Sequence, residues 1–404
     1  MSEPRPYGLY VIANPVLENN GELFLRDRCY TETILQVNEF VPSLRIVARK
    51  RALTGEKLFY PRLADVGAEL ALSVPDYGIG GVIAPCRAVG IAGGTSVRRA
   101  LMGLVQDALF VHVEGGTSIE AFLAAQLAAR LKKRLILEMR GSTVLNLQYM
   151  RQRFGMPGVC LVLLHRMVCA YVCRRCYAGL YINLNLMGRY PVAGGLNRAI
   201  GDAYLPQGFG CSPKQFKEAA RHYLYVGHLE AVKRVDLILS ALALAGESLP
   251  VGWHLDIVGS GPCETQLKGL AGTLGILDHV TFHGRVEWGE ELWRFYQRAD
   301  LALMASTTEG ASRSLLEAMA FGLPVISTRV GIAPELLGNS QLVLVGAQQK
   351  FAECLAALVN DPVGATKIGA NNWRKAQGFK RDVLIAERRQ FWKEALHGVF
   401  PERN

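Results

Sequence analysis

Short aliphatic and β-branched runs alternate with stretches of helical period along most of this chain. In the first half, Leu9–Ala13, Leu44–Ala48, Ala108–Val113 and Leu135–Met139 predict strands. Ser118–Leu131, between the last two, has helical spacing, and Thr117 with Glu120 matches a capping box at its start. Strand, helix and strand at this spacing imply a right-handed crossover and a parallel sheet. Pro157–Tyr177 is apolar but broken by His165, Arg166, Arg174 and Arg175, which predicts a partly buried helix; a strand follows at Leu180–Leu184. Around Asp202–Ser212 the pattern lapses into Pro, Gly and polar residues, a candidate linker.

The second half repeats the alternation more clearly. Strands are expected at Tyr223–Val226, Leu255–Val258, Val280–Phe282, Leu301–Met304, Val325–Ser327 and Leu342–Val345. Helices are expected at Asp236–Ala245, Glu264–Leu274, Glu290–Gln297 and Leu315–Phe321, and again at Arg381–His397. Such a doubly wound sheet binds ligands at the carboxyl ends of its strands.

Length turns this pattern into two domains, because 404 residues exceed one ordinary core. The expected division is 1–203, 204–380 and a closing helix within 381–404. The 45 Lys and Arg against 35 Asp and Glu give +10, which favours an anionic partner: a nucleoside diphosphate, a phospholipid surface or nucleic acid. No Lys/Arg run carries interleaved aromatics, so nucleic acid is not expected. The apolar run Leu9–Ala13 is too short for a signal peptide, and no run reaches the ~18 apolar residues of a spanning helix. Nine cysteines, mostly in apolar contexts, fit reduced thiols in a cytoplasmic protein.

Candidate chemistry concentrates at Glu309-Gly310-Ala311-Ser312-Arg313-Ser314-Leu315-Leu316-Glu317. A strand ends before it and a helix is expected to start near Leu315, so its N–H groups face a ligand side and attract phosphate. Two glutamates eight residues apart are placed to accept hydroxyls on either side of a diphosphate. A plainer reading of Glu317 is available: Ser314 and Glu317 match S-x-x-E, a capping box.

The run continues as Ala318-Met319-Ala320-Phe321-Gly322-Leu323-Pro324-Val325, with a later Glu335. It resembles the E-x7-E signature of family 4 of the retaining glycosyltransferases, which have the GT-B fold of two Rossmann-like domains facing a cleft. The resemblance implies that Glu309 contacts the donor sugar, that Glu317 contacts the ribose, and that backbone amides over Ala311, Ser312, Arg313, Ser314 and Leu315 hold the diphosphate. A second match is Val226-Gly227-His228-Leu229 followed by Lys233-Arg234-Val235-Asp236, against the family's V-G-R-L and K-G-x-D. It implies that Lys233 neutralises the diphosphate. His228 stands where the family has Arg, and Arg234 where it has Gly. His is neutral at pH 7 unless its pKa is raised, and a missing charge-assisted bond costs ~1.5–3 kcal/mol. A third match is the Gly259-Ser260-Gly261-Pro262 turn after Val258, where glycine lets backbone approach a ligand. Arg285 and Val286, after the strand at Val280, are implied base contacts.

The resemblance is specific over about 220–345 and weaker before it. In the first half, Arg140 stands where many members have a sugar-facing His, as a candidate for phosphate or an acidic acceptor. The loop Glu114–Ser118 is a candidate for hydroxyl or phosphate, and Asn14–Gly21 shows no obvious Gly-Gly turn. Cys169, Cys173 and Cys176 have the C-x3-C-x2-C spacing of a cluster-binding loop, but offsets of four and seven place them on one helix face, as buried core.

The implied reaction moves a hexose-type unit from a nucleoside diphosphate sugar to an acceptor hydroxyl with retained anomeric configuration, without metal or bound cofactor. A basic and apolar face around Arg166, Arg174 and Arg175 fits a lipid-linked saccharide acceptor at the inner face of a membrane, as in cell-surface polysaccharide or glycolipid assembly. Two rivals are a GT-B-type sugar-nucleotide epimerase and a non-catalytic sugar-nucleotide binder; donor sugar and base stay open.

Overall fold

The computed structural model describes residues 6–12, 15–25, 28–52, 61–74, 93–115, 119–140, 159, 163–164 and 166–399. The chain divides into two compact units, Met1–Asp202 with Ile385–Asn404, and Ala203–Leu384.

The first unit is built on strands β1 (Gly8–Val11), β2 (Val16–Asn19), β3 (Glu22–Leu25), β4 (Leu44–Ala52), β5 (Ala68–Val74), β6 (Phe110–Glu114), β7 (Arg134–Met139), β8 (Ala178–Tyr181) and β9 (Leu196–Ala199). Their order is β3-β2-β4-β1-β6-β7-β8-β9, with β5 also on β4. All pairs are parallel except the β2–β3 hairpin. Asn20-Gly21 turns that hairpin: both residues take left-handed φ (50° and 83°), as a two-residue turn between strands demands. Val11, Val111, Val113, Leu135 and Leu137 build the core with the helix Ile119–Arg130. Thr117 of the expected capping box lies outside the described residues.

Cys169, Cys173 and Cys176 are buried in that core, and burial pushes the Cys173 thiol up to about 11. All three behave as apolar packing, but only Cys169 and Cys173 share a helix, which ends at Cys173; Cys176 follows a turn rather than lying on the expected common helix face. Among the described residues no His, Cys, Asp and Glu cluster suits a metal ion, and no helix is long and apolar enough to cross a membrane.

The second unit is a six-stranded, wholly parallel sheet of β10 (His222–Val226), β11 (His254–Val258), β12 (Val280–Gly284), β13 (Leu301–Met304), β14 (Val325–Thr328) and β15 (Leu342–Val343). Their order is β12-β11-β10-β13-β14-β15. Strand alternation divides the core. Tyr223, Tyr225, Leu255, Ile257, Leu301 and Leu303 pack in one cluster with the helices Val235–Ala245 and Gln348–Val359. Leu224, Val258, Ala302 and Met304 pack in the other with Glu290–Arg298 and Arg313–Ala320. The chain changes direction of growth between β10 and β13, so this sheet has its switch point there, where α/β sheets bind ligands. The candidate linker is part of this unit: Ala203, Leu205 and Phe209 are buried in its core, and Leu205 exchanges backbone hydrogen bonds with Phe379 and Arg381 (2.8 and 2.9 Å). Its Pro and Gly residues make turns between buried anchors. The helix Arg381–Leu396 enters the first unit from Ile385 onward, burying Phe391 and Trp392.

Candidate functional site

Three loops meet at the carboxyl ends of β10, β11 and β12. Gly227 N–H donates to Val258 O (3.0 Å), Leu229 N–H to Ser260 O (3.0 Å) and Gly259 N–H to Gly284 O (2.7 Å). Gly259 has φ 139°, and a Cβ there would lie 1.9 Å from Gly227 O. The Gly259 turn therefore admits neighbouring backbone; the approach expected for a ligand is made by the 227–229 loop. The loop after β13 is pinned to the same frame, because Thr307 N–H and Oγ1 donate to Val232 O (2.8 and 3.2 Å).

This pinning brings Lys233 to Glu309. Lys233 ends a short helical turn, Ala231–Lys233, and its Nζ donates to Glu309 Oε1 at 2.6 Å. Ser306 Oγ donates to the same oxygen at 2.7 Å, and Thr328 Oγ1 holds Ser306 through its carbonyl (2.6 Å). The Lys233 and Glu309 side chains are 25% and 14% exposed, so the pair is sheltered yet reachable. A cation and a carboxylate at a sheet switch point can meet a phosphate and a hydroxyl-bearing group respectively.

Glu317 stands in a different neighbourhood. The helix starts at Arg313, two residues before the expected Leu315, and Ser312 is its N-cap without a side-chain hydrogen bond. The S-x-x-E capping box is not formed, because Ser314 already lies inside the helix and contacts Ser312 Oγ (3.4 Å). Glu317 falls in the second turn and is buried, accepting from Trp288 Nε1 (2.9 Å) and Tyr296 OH (2.8 Å). Burial pushes its carboxyl up, while Tyr296, Trp288 and the nearby Arg313 charge oppose that rise. No side chain caps the first turn of this helix, so its amide dipoles present partial positive charge beside Ala311, Ser312, Arg313, Ser314 and Leu315. Arg313 is exposed there.

The two departures from the family pattern have separate outcomes. His228 is exposed, and its carbonyl accepts from Tyr225 OH (2.9 Å). Arg234 keeps the left-handed backbone that a glycine would supply (φ 50°, ψ 44°), and its guanidinium pairs with Asp236 at 3.0 Å. Arg285 is exposed and lies 3.3 Å from Glu287, while Val286 packs against the apolar cluster that includes Phe209.

In the first unit, Arg140 is 11% exposed and sits inside an ionic cluster rather than on an open loop. Its Nη2 donates to Thr33 Oγ1 (2.8 Å) and lies 3.2 Å from Glu138 Oε1, its Nε lies 3.8 Å from Glu114, and its guanidinium covers the Tyr30 ring. Arg388, from the C-terminal helix, donates to the same Glu138 oxygen at 2.6 Å. Tyr30 OH donates to Glu114 (2.6 Å). Burial opposes ionisation of Glu138, but Arg140, Arg388 and His112 hold it well below the usual range. His112 is stacked on Tyr10 with centroids 4.0 Å apart, and burial pushes its pKa down while the neighbouring Glu138 opposes that fall. Gly116, Thr117, Ser118, Gly141 and Ser142, named with this region from sequence, lie outside the described residues.

Sequence reasoning missed Ser306, Trp288 and Tyr296. Each acts through a partner three to 29 residues away, and no spacing rule marks them.

The profile of the glycosyl transferases group 1 family matches residues 212–376. The chain is 38% identical over 177 residues to a protein of Haemophilus influenzae described as an uncharacterized glycosyltransferase, covering 43% of this chain and 48% of that one. It is 36% identical over 152 residues to a GDP-mannose-dependent alpha-(1-6)-phosphatidylinositol monomannoside mannosyltransferase of Mycobacterium tuberculosis, covering 35% and 39%. The chain thus spans less than half the length of either relative. Among solved structures, Anabaena Alr3699/HepE, in complex with UDP and glucose, superposes with a TM-score of 0.62 at 15% identity, over 96% of this chain and 100% of that one. The fold is GT-B, as expected: two Rossmann-like doubly wound α/β units.

Proposed function

We propose that this chain is a retaining family 4 glycosyltransferase, moving a sugar from a nucleoside diphosphate sugar to an acceptor hydroxyl. The observation that carries the reading is the meeting of Lys233 and Glu309 at the switch point of the second sheet, 2.6 Å apart. The relatives' names and the group 1 match support the same class.

In this reading the uncapped helix turn at Ser312–Leu315 and Lys233 hold the diphosphate, Glu309 accepts sugar hydroxyls and Glu317 accepts ribose hydroxyls. Gly227, Gly259 and the 285–286 backbone frame the nucleotide. The acceptor oxygen forms its bond to the anomeric carbon on the face from which the phosphate leaves. The bond from that carbon to the phosphate oxygen breaks, and the acceptor proton passes to the departing phosphate. Lys233 and the helix dipole stabilise the charge that grows on the leaving group, so the charge balance needs no metal. Arg234 and Arg140 are left out of this work, because Asp236 and Glu138 with Glu114 take up their charge.

The acceptor is assigned to the first unit and to a membrane surface. Leu163, Leu164 and Met167 are exposed beside exposed Arg166, Arg174 and Arg175, an apolar face with a basic border that suits anionic lipid. That face, and the name of the M. tuberculosis relative as a phosphatidylinositol monomannoside mannosyltransferase, support peripheral attachment and a role in glycolipid or surface polysaccharide assembly.

The test is release of nucleoside diphosphate from a panel of labelled sugar nucleotides with lipid acceptors, for the wild type and Lys233→Ala. Turnover lost in Lys233→Ala supports the reading. Binding of a donor without turnover favours a sugar-nucleotide binder, and release of an isomerised sugar an epimerase. Absence of any donor binding refutes all three.

A further inference from the structure

The Lys233–Glu309 contact has a feature that donor binding alone does not require: the two groups that would serve the ligand serve each other. Thr307 clamps the backbone beside Lys233 through Val232 O, and Thr328 clamps the backbone of Ser306, so both side chains project from fixed points. Among the described residues both hydrogen bonds to the Glu309 carboxylate end on Oε1, one from Lys233 and one from Ser306. We infer that this ion pair is a latch by which Glu309 makes the site discriminate between a nucleoside diphosphate sugar and the bare nucleoside diphosphate; this rests on the donor-site reading above.

A diphosphate draws Lys233 away from Glu309, leaving a sheltered carboxylate with the Ser306 hydroxyl alone and a polyanion beside it. A ligand that carries a sugar brings hydroxyl donors to the same carboxylate and restores its hydrogen bonds. A ligand without the sugar brings nothing. The pair thus penalises the product nucleotide more than the donor, and transfer of the sugar itself returns the site to the state in which Lys233 prefers Glu309. Release of the nucleotide product is coupled to completion of transfer.

The experiment is calorimetric titration of the full chain with UDP, UDP-glucose, GDP and GDP-mannose, carrying forward whichever base binds. Glu309→Gln keeps the size of the side chain but removes its hold on Lys233. It is expected to bind the bare nucleotide about tenfold tighter, equivalent to about 1.4 kcal/mol, and the sugar nucleotide about tenfold more weakly. Ser306→Ala, which leaves the charges intact and removes the other donor to Glu309, is expected to weaken the bare nucleotide a few-fold and serves if Glu309→Gln does not fold. Unchanged or parallel affinities for the two ligands in these variants overturn the latch while donor binding stands. If no nucleotide binds the wild type, the donor-site reading falls, and the latch with it.

Discussion

Trp288→Phe isolates the hydrogen bond that holds Glu317. The indole N–H reaches Glu317 Oε1 at 2.9 Å, and the ring lies nearly parallel to Phe209 with centroids 6.1 Å apart. Phenylalanine keeps an aromatic ring against Phe209 and Trp293 and loses the donor together with half of the indole. A hydrogen bond to an ionised acceptor contributes ~1.5–3 kcal/mol. Trp288 is 47% exposed, so water replaces part of the loss and the lower figure applies. Without that donor the Glu317 carboxyl, already pushed up by burial, is pushed up further. Its folded pKa lies above the unfolded one. Its contribution to stability is therefore fully present below the unfolded value and is lost as pH rises through the folded value. Trp288→Phe should accordingly be less stable than wild type near pH 7.5, by ~1–1.5 kcal/mol, with the gap narrowing towards pH 5. If the ionised carboxylate accepts ribose hydroxyls, nucleotide affinity falls as pH drops, and in Trp288→Phe that fall begins at a higher pH. Affinity and denaturation midpoints measured from pH 5 to 8 on both proteins decide the matter. Superimposable pH profiles would refute the reasoning, because they would show that the indole N–H does not hold the charge.

Two further outcomes follow from the buried charges and the strained turn. Glu138→Gln leaves Arg140 and Arg388 facing an amide in the first unit's core, and loss of one member of a buried ionic cluster costs ~3–5 kcal/mol. Glu138 is held below its ordinary pKa, so its contribution is present above the unfolded value and is lost as pH falls through the folded one; the deficit of Glu138→Gln in urea denaturation should shrink in acid, and a constant deficit would exclude the ionic account. Arg234→Gly removes a left-handed non-glycine residue, a strain of ~1–3 kcal/mol, at the expense of a partly exposed ion pair with Asp236 and some chain entropy. A rise in stability of up to about 1 kcal/mol is expected, and thermal unfolding that shows a clear loss would contradict it.

What was legible in the sequence, and what was not, divides by the range of the interaction. Strand Leu301–Met304 and helix Glu264–Thr273 come out within a residue of expectation, because buried period-two and period-3.6 patterns are local. The β2–β3 hairpin carries an equally local mark, Asn20-Gly21, which a search for paired glycines passes over. The capping box at Ser314 and Glu317 shows the opposite error: a local rule matched, but the helix begins at Arg313, two positions too early for Ser314 to cap it. Once displaced from that role, the Glu317 carboxylate had to find donors elsewhere, and it found them 29 and 21 residues back in the chain.

The eight-residue spacing of the two glutamates thus carries less than it first conveys. It puts both at one strand–loop–helix junction, yet their surroundings differ in kind. Glu309 faces a cation from another loop and stays accessible, whereas Glu317 is enclosed by an indole and a phenol. A carboxylate paired with a mobile lysine side chain can exchange that partner for a ligand. One locked by two ring donors can only present the lone pairs they leave. The junction is therefore asymmetric: Glu309 has a partner that it can exchange, and Glu317 has two that hold it in place. That asymmetry arises from Ser306, Trp288 and Tyr296, residues that only the folded second unit brings to the glutamates.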